Sequence, residues 1–274
     1  MCLTIPNFDV ILPPFAEQTR IARFLDLKTA QIDKAISIKE KQIELLKERR
    51  QILIHNAVTR GLDEDVEMKD SGVEWIGEIP EHWEIKRAKY LFEEIDERSE
   101  TGDEELLSVS HLTGVTSRSE KNVNMFLAED YSGSKVCREG DLVYNVMWAW
   151  MGALGISGKT GIVSPSYAVY RQKIPGTFNS WFLEELLKDP MYVAHYNRVS
   201  TGLHSSRLRF YSNMFFQMEI YFPSKSEQEQ IANYLKQITS KIATAISLKE
   251  AQIEKLKEYK TTLINSAVTG KIRV

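Results

Sequence analysis

At 274 residues the chain is long enough for one large domain or two small ones, and its 43% hydrophobic content suffices for a packed core. No apolar run reaches the roughly 20 residues that span a bilayer, and Met1–Pro14 lacks the basic-then-apolar order of a signal peptide, so a cytoplasmic protein is expected. A net charge of −3 speaks against a molecule coated in cations, and the two cysteines and five histidines are too scattered for a zinc site, so neither a metal nor another cofactor is expected.

The chain begins with a strand-like stretch, Leu3–Leu12, and then runs into a segment that occurs twice. Pro13–Thr59 matches Pro223–Thr269 at a constant offset of 210 without a gap, and 24 of the 47 positions are identical. Glu17-Gln18 recurs as Glu227-Gln228, and Ala57-Val58-Thr59 recurs as Ala267-Val268-Thr269. In the first copy a seam alternating by four and three runs through Leu25, Thr29, Ile32, Ile36, Lys39, Ile43, Leu46, Arg50, Leu53 and Ala57. Because 210 is a multiple of seven, the second copy keeps the phase, from Leu235 through Ile242 and Ile253 to Ala267.

Each copy therefore predicts one long helix, on the order of 60 Å from Glu17 to Asn56. Proline precedes each, and Gly61 and Gly270 follow. Both copies place cations at the same two seam positions, Lys39 with Lys249 and Arg50 with Lys260. Such residues either fix register at a cost in stability or lay their stems over apolar surface while the charge reaches water. An apolar stripe of this length must be buried, and the nearest partner is the other copy. The intervening region joins the end of one helix to the start of the other, so pairing within the chain is antiparallel; pairing between two chains is the alternative.

Gly61–Gly72 is polar and acidic and reads as a linker. From Trp75 onward aromatics are frequent, and β-like runs at Leu106–Val109, Asp141–Val146, Gly161–Arg171 and Met218–Phe222 alternate with turn signals. Trp181–Lys188 and Pro190–Arg198 read as helices. The expected class is α+β, with one globular domain at 73–223 flanked by long helices at 16–60 and 224–274 that form an antiparallel coiled coil; residues 1–15 form a strand-like remnant and 61–72 a linker. Charge is uneven along this plan. Acids crowd Asp63–Asp70 and Glu93–Glu105, whereas Pro190–Met218 holds none and carries Arg198, Arg207 and Arg209 with His195 and His204. A local positive face of this kind is compatible with phosphate binding.

Three segments in order resemble the specificity subunits of Type I restriction–modification enzymes. They are Asp70-Ser71-Gly72-Val73-Glu74-Trp75-Ile76-Gly77-Glu78-Ile79-Pro80-Glu81-His82-Trp83, then Gly140–Asn145 with Gly161–Tyr167, and the approach to each helix, Pro13–Gln18 and Pro223–Gln228. The resemblance implies a non-catalytic subunit whose globular part is a target-recognition domain reading one part of a split DNA site. It further implies helices that dock adenine methyltransferase subunits, with a separate restriction and translocase subunit joining through the complex. A complete subunit of that family alternates two recognition domains with two helices, whereas this sequence holds helix, domain, helix. Two readings follow: a part of a longer subunit, or a half-subunit that restores two domains as a homodimer.

Catalysis finds no support in the residues. Nothing resembles an Asn-Pro-Pro-Tyr methyltransferase motif, and Gly152–Thr160 misses the phosphate-loop spacing by one residue, with Ala153 where the first glycine belongs. For DNA contact the first candidate is the loop Gly202–Arg209, where His204, Ser205, Ser206, Arg207 and Arg209 combine hydroxyls with arginines able to grip guanine or phosphate. The second is Ser110–Lys121, read as a polar loop without a strand pattern, with Ser117, Arg118 and Lys121 as contacts. The third is Asn145–Trp150, with Asn145 and Trp148 as contacts; Trp148 and Trp150 are expected to share one face of a strand. Trp75 and Trp83 are assigned to structure. A coiled-coil scaffold whose central domain binds a protein or small ligand is the rival reading; it gives the acid-free stretch around Arg207 no use.

Overall fold

The computed structural model describes residues 13–120, 130–202 and 208–274, and it divides into two compact units. One comprises the described residues up to Gln51 together with Ile238–Val274, and the other Ile52–Gln237. Helix α1 is Phe15–Arg60. Three short strands follow, β1 (Met68–Asp70), β2 (Glu78–Pro80) and β3 (Glu84–Arg87), then a single helical turn α2 (Ala88–Leu91) and β4 (Phe92–Ile95). Next come β5 (Leu107–Ser110), β6 (Gly114–Ser117), β7 (Lys135–Cys137), β8 (Leu142–Asn145), β9 (Leu154–Ile156), β10 (Gly161–Val163) and β11 (Tyr167–Gln172). The chain continues through α3 (Ser180–Leu187), α4 (Pro190–Val199), α5 (Ser212–Gln217), β12 (Glu219–Phe222) and α6 (Lys225–Val268).

In the first unit the repeat pairs antiparallel within the chain. Lys39 Nζ donates to Gln252 Oε1 at 2.6 Å, and Lys249 Nζ donates to Gln42 Oε1 at 2.7 Å. At the repeat offset of 210 these are one contact seen from either helix. The seam cations thus bond across the pair at a fixed register. Ile32 and Ile43 of one helix and their repeat equivalents Ile242 and Ile253 of the other are buried seam positions, at 6–8% exposure. Lys260 adds an ion pair with Asp33 at 2.7 Å. Its symmetry mate is absent, because Ala243 stands where the repeat would put the second aspartate opposite Arg50.

The second unit is built around a four-stranded antiparallel sheet in the order β4-β11-β8-β9. Strand β8 is buried along its whole length, so it shows no polar alternation. Two-stranded antiparallel ladders β1-β2, β3-β12, β5-β6 and β7-β10 surround it. Asn179 caps α3 by accepting from the backbone N–H groups of Trp181 and Phe182, and Asp189 caps α4 ahead of Pro190. Their inner faces cover an aromatic cluster in which Tyr170 and Phe215 stack at 4.2 Å and Tyr196 and Phe210 lie 4.9 Å apart. Two of its buried phenols are hydrogen-bonded in series: Tyr144 donates to Tyr196 at 3.2 Å, and Tyr196 donates to the Leu187 carbonyl at 2.8 Å.

Two local expectations change. Ser110–Lys121 is not a loop throughout, because Gly114–Ser117 pairs with Leu107–Ser110 as a hairpin and a 3-10 turn follows at Arg118–Glu120. Its Ser/Thr-rich strand lacks the apolar alternation by which strands are recognised. Trp148 and Trp150 are not in a strand either. Strand β8 stops at Asn145, and the backbone turns into a 3-10 helix at Ala149–Met151 that ends on Gly152 in the left-handed region.

Candidate nucleic-acid interface

The turn after β8 is held from several directions. Asn145 is 6% exposed; its side-chain oxygen accepts from the Met147 N–H at 3.2 Å and its amide donates to the Tyr167 hydroxyl at 3.2 Å. Trp150 donates its indole N–H to the Met147 carbonyl at 3.0 Å, and the Ala153 N–H closes back on the Trp148 carbonyl at 3.2 Å. Trp148 itself is 46% exposed, with its ring against that of Trp150 at 5.9 Å and 26°. Asn145 therefore shapes the turn, and Trp148 is what the turn presents.

A second element meets this turn. Thr201 and Arg209 exchange backbone hydrogen bonds at 3.1 and 2.8 Å, and the Phe210 N–H donates to the Val146 carbonyl at 3.1 Å. Arg209 thus sits beside the Trp148 turn, with its guanidinium on the Leu208 carbonyl. Helix α4 packs on the same turn, leaving an open groove lined by Trp150, Val193, Ala194, Asn197 and Arg198. His204, Ser205, Ser206 and Arg207, and Lys121 of the other segment, lie outside the described residues.

The remaining candidates divide. Ser117 is 2% exposed; its hydroxyl donates to Glu105 and accepts from Lys159 at 2.8 Å, so it is engaged inside the fold. Arg118 follows at the end of the hairpin and is half-buried. Burial pushes the Tyr167 phenol up from its ordinary pKa, and the nearby Arg118 charge works against that rise. Phe210 links Arg209 to the Trp148 turn.

Electrostatics separates this surface from the rest of the unit. Along the acidic Glu93–Glu105 stretch the cations are neutralised: Arg98 on Asp96 at 2.6 Å, Arg138 on Glu97 at 3.0 Å, and Lys159 on Glu105 at 3.0 Å. Arg171 is likewise committed to buried Asp141 at 2.7 Å. Among the described residues Arg118, Arg198 and Arg209 form no ion pair. Arg198 reaches only the His195 ring at 3.5 Å. That ring is stacked on Trp75 at 4.0 Å, and burial, then the Arg198 charge, holds its pKa down at about 4. At neutral pH it adds no charge of its own. Arg198 was named in the acid-free stretch Pro190–Met218 but not among the expected contacts; Leu142–Leu183 is equally free of acids, the signal that ties the Trp148 turn to α4. Among the described residues no group of histidines, cysteines or acids could hold a metal, and Cys137 is a buried free thiol. No described helix is long and apolar enough to cross a membrane.

No family model matches the chain. It is 27% identical over 285 aligned positions to the Type I restriction enzyme MjaVIII specificity subunit of Methanocaldococcus jannaschii, covering 98% of this chain and 63% of that protein. It is 26% identical to the putative type I restriction enzyme MjaX specificity subunit of the same organism, covering 98% of this chain and 60% of that one. The chain thus spans about three fifths of the length of these relatives. Among solved structures, a chain from a type I restriction–modification system described for its complex assembly and conformational transition superposes with a TM-score of 0.66 at 16% identity, over 94% of this chain and 60% of that one. The HsdS subunit from Thermoanaerobacter tengcongensis superposes at 0.51, also at 16% identity, over 95% of this chain and 60% of that one. In sequence over nearly its whole length, and in fold, the chain is a homologue of the specificity subunits of Type I restriction enzymes.

Proposed function

We propose that this chain reads DNA for a Type I restriction–modification enzyme in the cytoplasm, recognising one part of a bipartite site through residues 73–223, and that it is not itself a catalyst. Its paired helices would dock adenine methyltransferase subunits, which bring the chemistry, and the restriction and translocase subunit would join through the complex. The observation that carries the reading is the match along 98% of the chain to two specificity subunits. The surface around Trp148 supports it: Arg198 and Arg209, both without acid partners among the described residues, lie beside a rigid turn in sequence free of carboxylates. Guanidinium groups that no carboxylate occupies are available to phosphates and guanine edges.

The test is a salt series of DNA titrations with and without a methyltransferase subunit. Wild type should bind duplex DNA weakly and with strong salt dependence alone, and site-specifically with the partner. Arg198→Ala and Arg209→Ala should each lower the steepness of log affinity against log salt by about one. Absence of any DNA affinity with the methyltransferase present would defeat the reading. Mass in solution with and without that subunit decides whether two copies of the chain assemble.

A further inference from the structure

Of the five tryptophans, Trp148 is the most exposed, with nearly half of its surface in solvent, while Trp83 is 1% exposed. A large apolar ring left nearly half in water forgoes part of the roughly 1.5–3 kcal/mol that full burial of an apolar side chain is worth, so the fold places it there at some cost. The turn beneath it is fixed by the Asn145 side chain, the Trp150 indole bond, the Ala153–Trp148 bond and the left-handed Gly152, whose N–H donates to the Ala149 carbonyl at 2.7 Å. Trp150 backs the ring on one side. An aromatic group so braced loses little conformational freedom when it meets a partner.

What surrounds the ring narrows that partner. Arg209 flanks it through the Phe210–Val146 bond, Arg198 lines the adjoining groove, and neither has an acid partner among the described residues. A polyanion with flat apolar faces inside it fits a ring so flanked. Duplex DNA has that chemistry: phosphates outside, stacked bases within.

We propose that Trp148 is an aromatic wedge, inserted at a base step of the bound duplex and stacking on a base while Arg198 and Arg209 hold the flanking phosphates. This rests on the DNA-reading function above and adds how part of the site is read. A ring driven into a base step pays for local unstacking, so the sequence is sensed through how readily that step opens as well as through hydrogen bonds.

The test uses the full chain and labelled duplexes of mixed sequence, one set fully paired and one carrying a single unpaired base. Anisotropy titrations across a salt series give affinity and salt dependence together. Wild type should prefer the unpaired-base duplexes, in which part of the unstacking is already done. Trp148→Ala should lose that preference and bind roughly 5- to 150-fold more weakly, the range for one base–aromatic stack, with an unchanged salt slope. Trp148→Phe should retain most of both. The unchanged slope separates a lost stack from a lost phosphate contact, and it reports an intact DNA-binding face. Should Trp148→Ala lose its cooperative unfolding transition, Trp148→Leu replaces it, since it keeps apolar contact with Trp150 but has no ring to stack. If wild type binds and the ring-less variants match it in affinity and preference, the wedge is wrong and the DNA-reading function stands. If a ring-less variant loses methyltransferase binding while DNA binding is intact, Trp148 belongs to a protein interface and the wedge is wrong. If wild type binds no duplex under any condition, both fall together.

Discussion

The two copies of the repeat are an internal control on what sequence alone does. Through the middle of each helix, residues 30–50 and 240–260 fall in the same burial class position by position, as the symmetric Lys39–Gln252 and Lys249–Gln42 bonds require. Toward the ends the copies part. Val58 is fully buried and Val268 is 65% exposed, although both sit in an identical Ala-Val-Thr triplet. Gln228 is fully buried; its amide donates to the Thr177 and Pro223 carbonyls and its oxygen accepts from the Asn179 N–H. Gln18 keeps only the local equivalent, a bond to the Pro13 carbonyl at 2.7 Å, and is exposed. Glu227 takes the Trp83 indole at 3.1 Å and the His82 ring at 2.8 Å, while Glu17 is exposed. Identical residues make the same helix, but which of them become core depends on whether a folded domain lies against them.

The largest break in this comparison should come from a charge at the valines. Val58→Asp buries a carboxylate with no partner and should cost several kcal/mol, roughly 3–5, read as the shift in urea midpoint of the full chain. Val268→Asp should cost no more than about 1 kcal/mol, most of it from an acid at a helix C-terminus. Equal losses would show that Val268 is covered in solution.

A smaller gap is expected at the glutamines. Gln228→Leu strands the Asn179 N–H and two carbonyls, a loss of roughly 2–4 kcal/mol. Gln18→Leu removes one exposed bond and should stay within about 0.5 kcal/mol. The same urea titrations decide this, and a Gln18 variant as damaging as the Gln228 one would overturn the contrast.

The smallest effect sharpens the symmetry instead. Ala243→Asp creates, opposite Arg50, the counterpart of the Lys260–Asp33 pair. Being largely exposed, it should add only about 0.2–1 kcal/mol, and less at high salt. A double-mutant cycle with Arg50→Ala isolates the coupling; a coupling of zero would mean that the two halves of the seam are not equivalent there.

The candidate site was legible only in part. Arg209 and Trp148 carry signals that composition exposes, an acid-free stretch and an aromatic cluster. Ser117 and Asn145 carry the residue types of base contacts, yet the fold spends their polar atoms on Glu105, Lys159, Tyr167 and the Met147 N–H. A polar side chain reads the same in sequence whether it faces solvent or caps a buried turn. Arg198 was legible only as a member of the acid-free stretch and not as a contact, because its neighbour Trp150 is brought to it by long-range packing.

Sequence by itself determined the repeat, the heptad phase, the two long helices and the strands β5, β8, β10, β11 and β12 of the second unit, because these rest on local periodicity that each segment carries within itself. It also determined where acids are missing. Only the tertiary structure decided which copy's Val, Gln and Glu become core, that the Trp148 segment turns out of its strand, and that Arg198 and Arg209 come to lie beside it without carboxylate partners. Those outcomes depend on residues distant along the chain meeting in space, where burial and pairing are set by the neighbour and not by the residue.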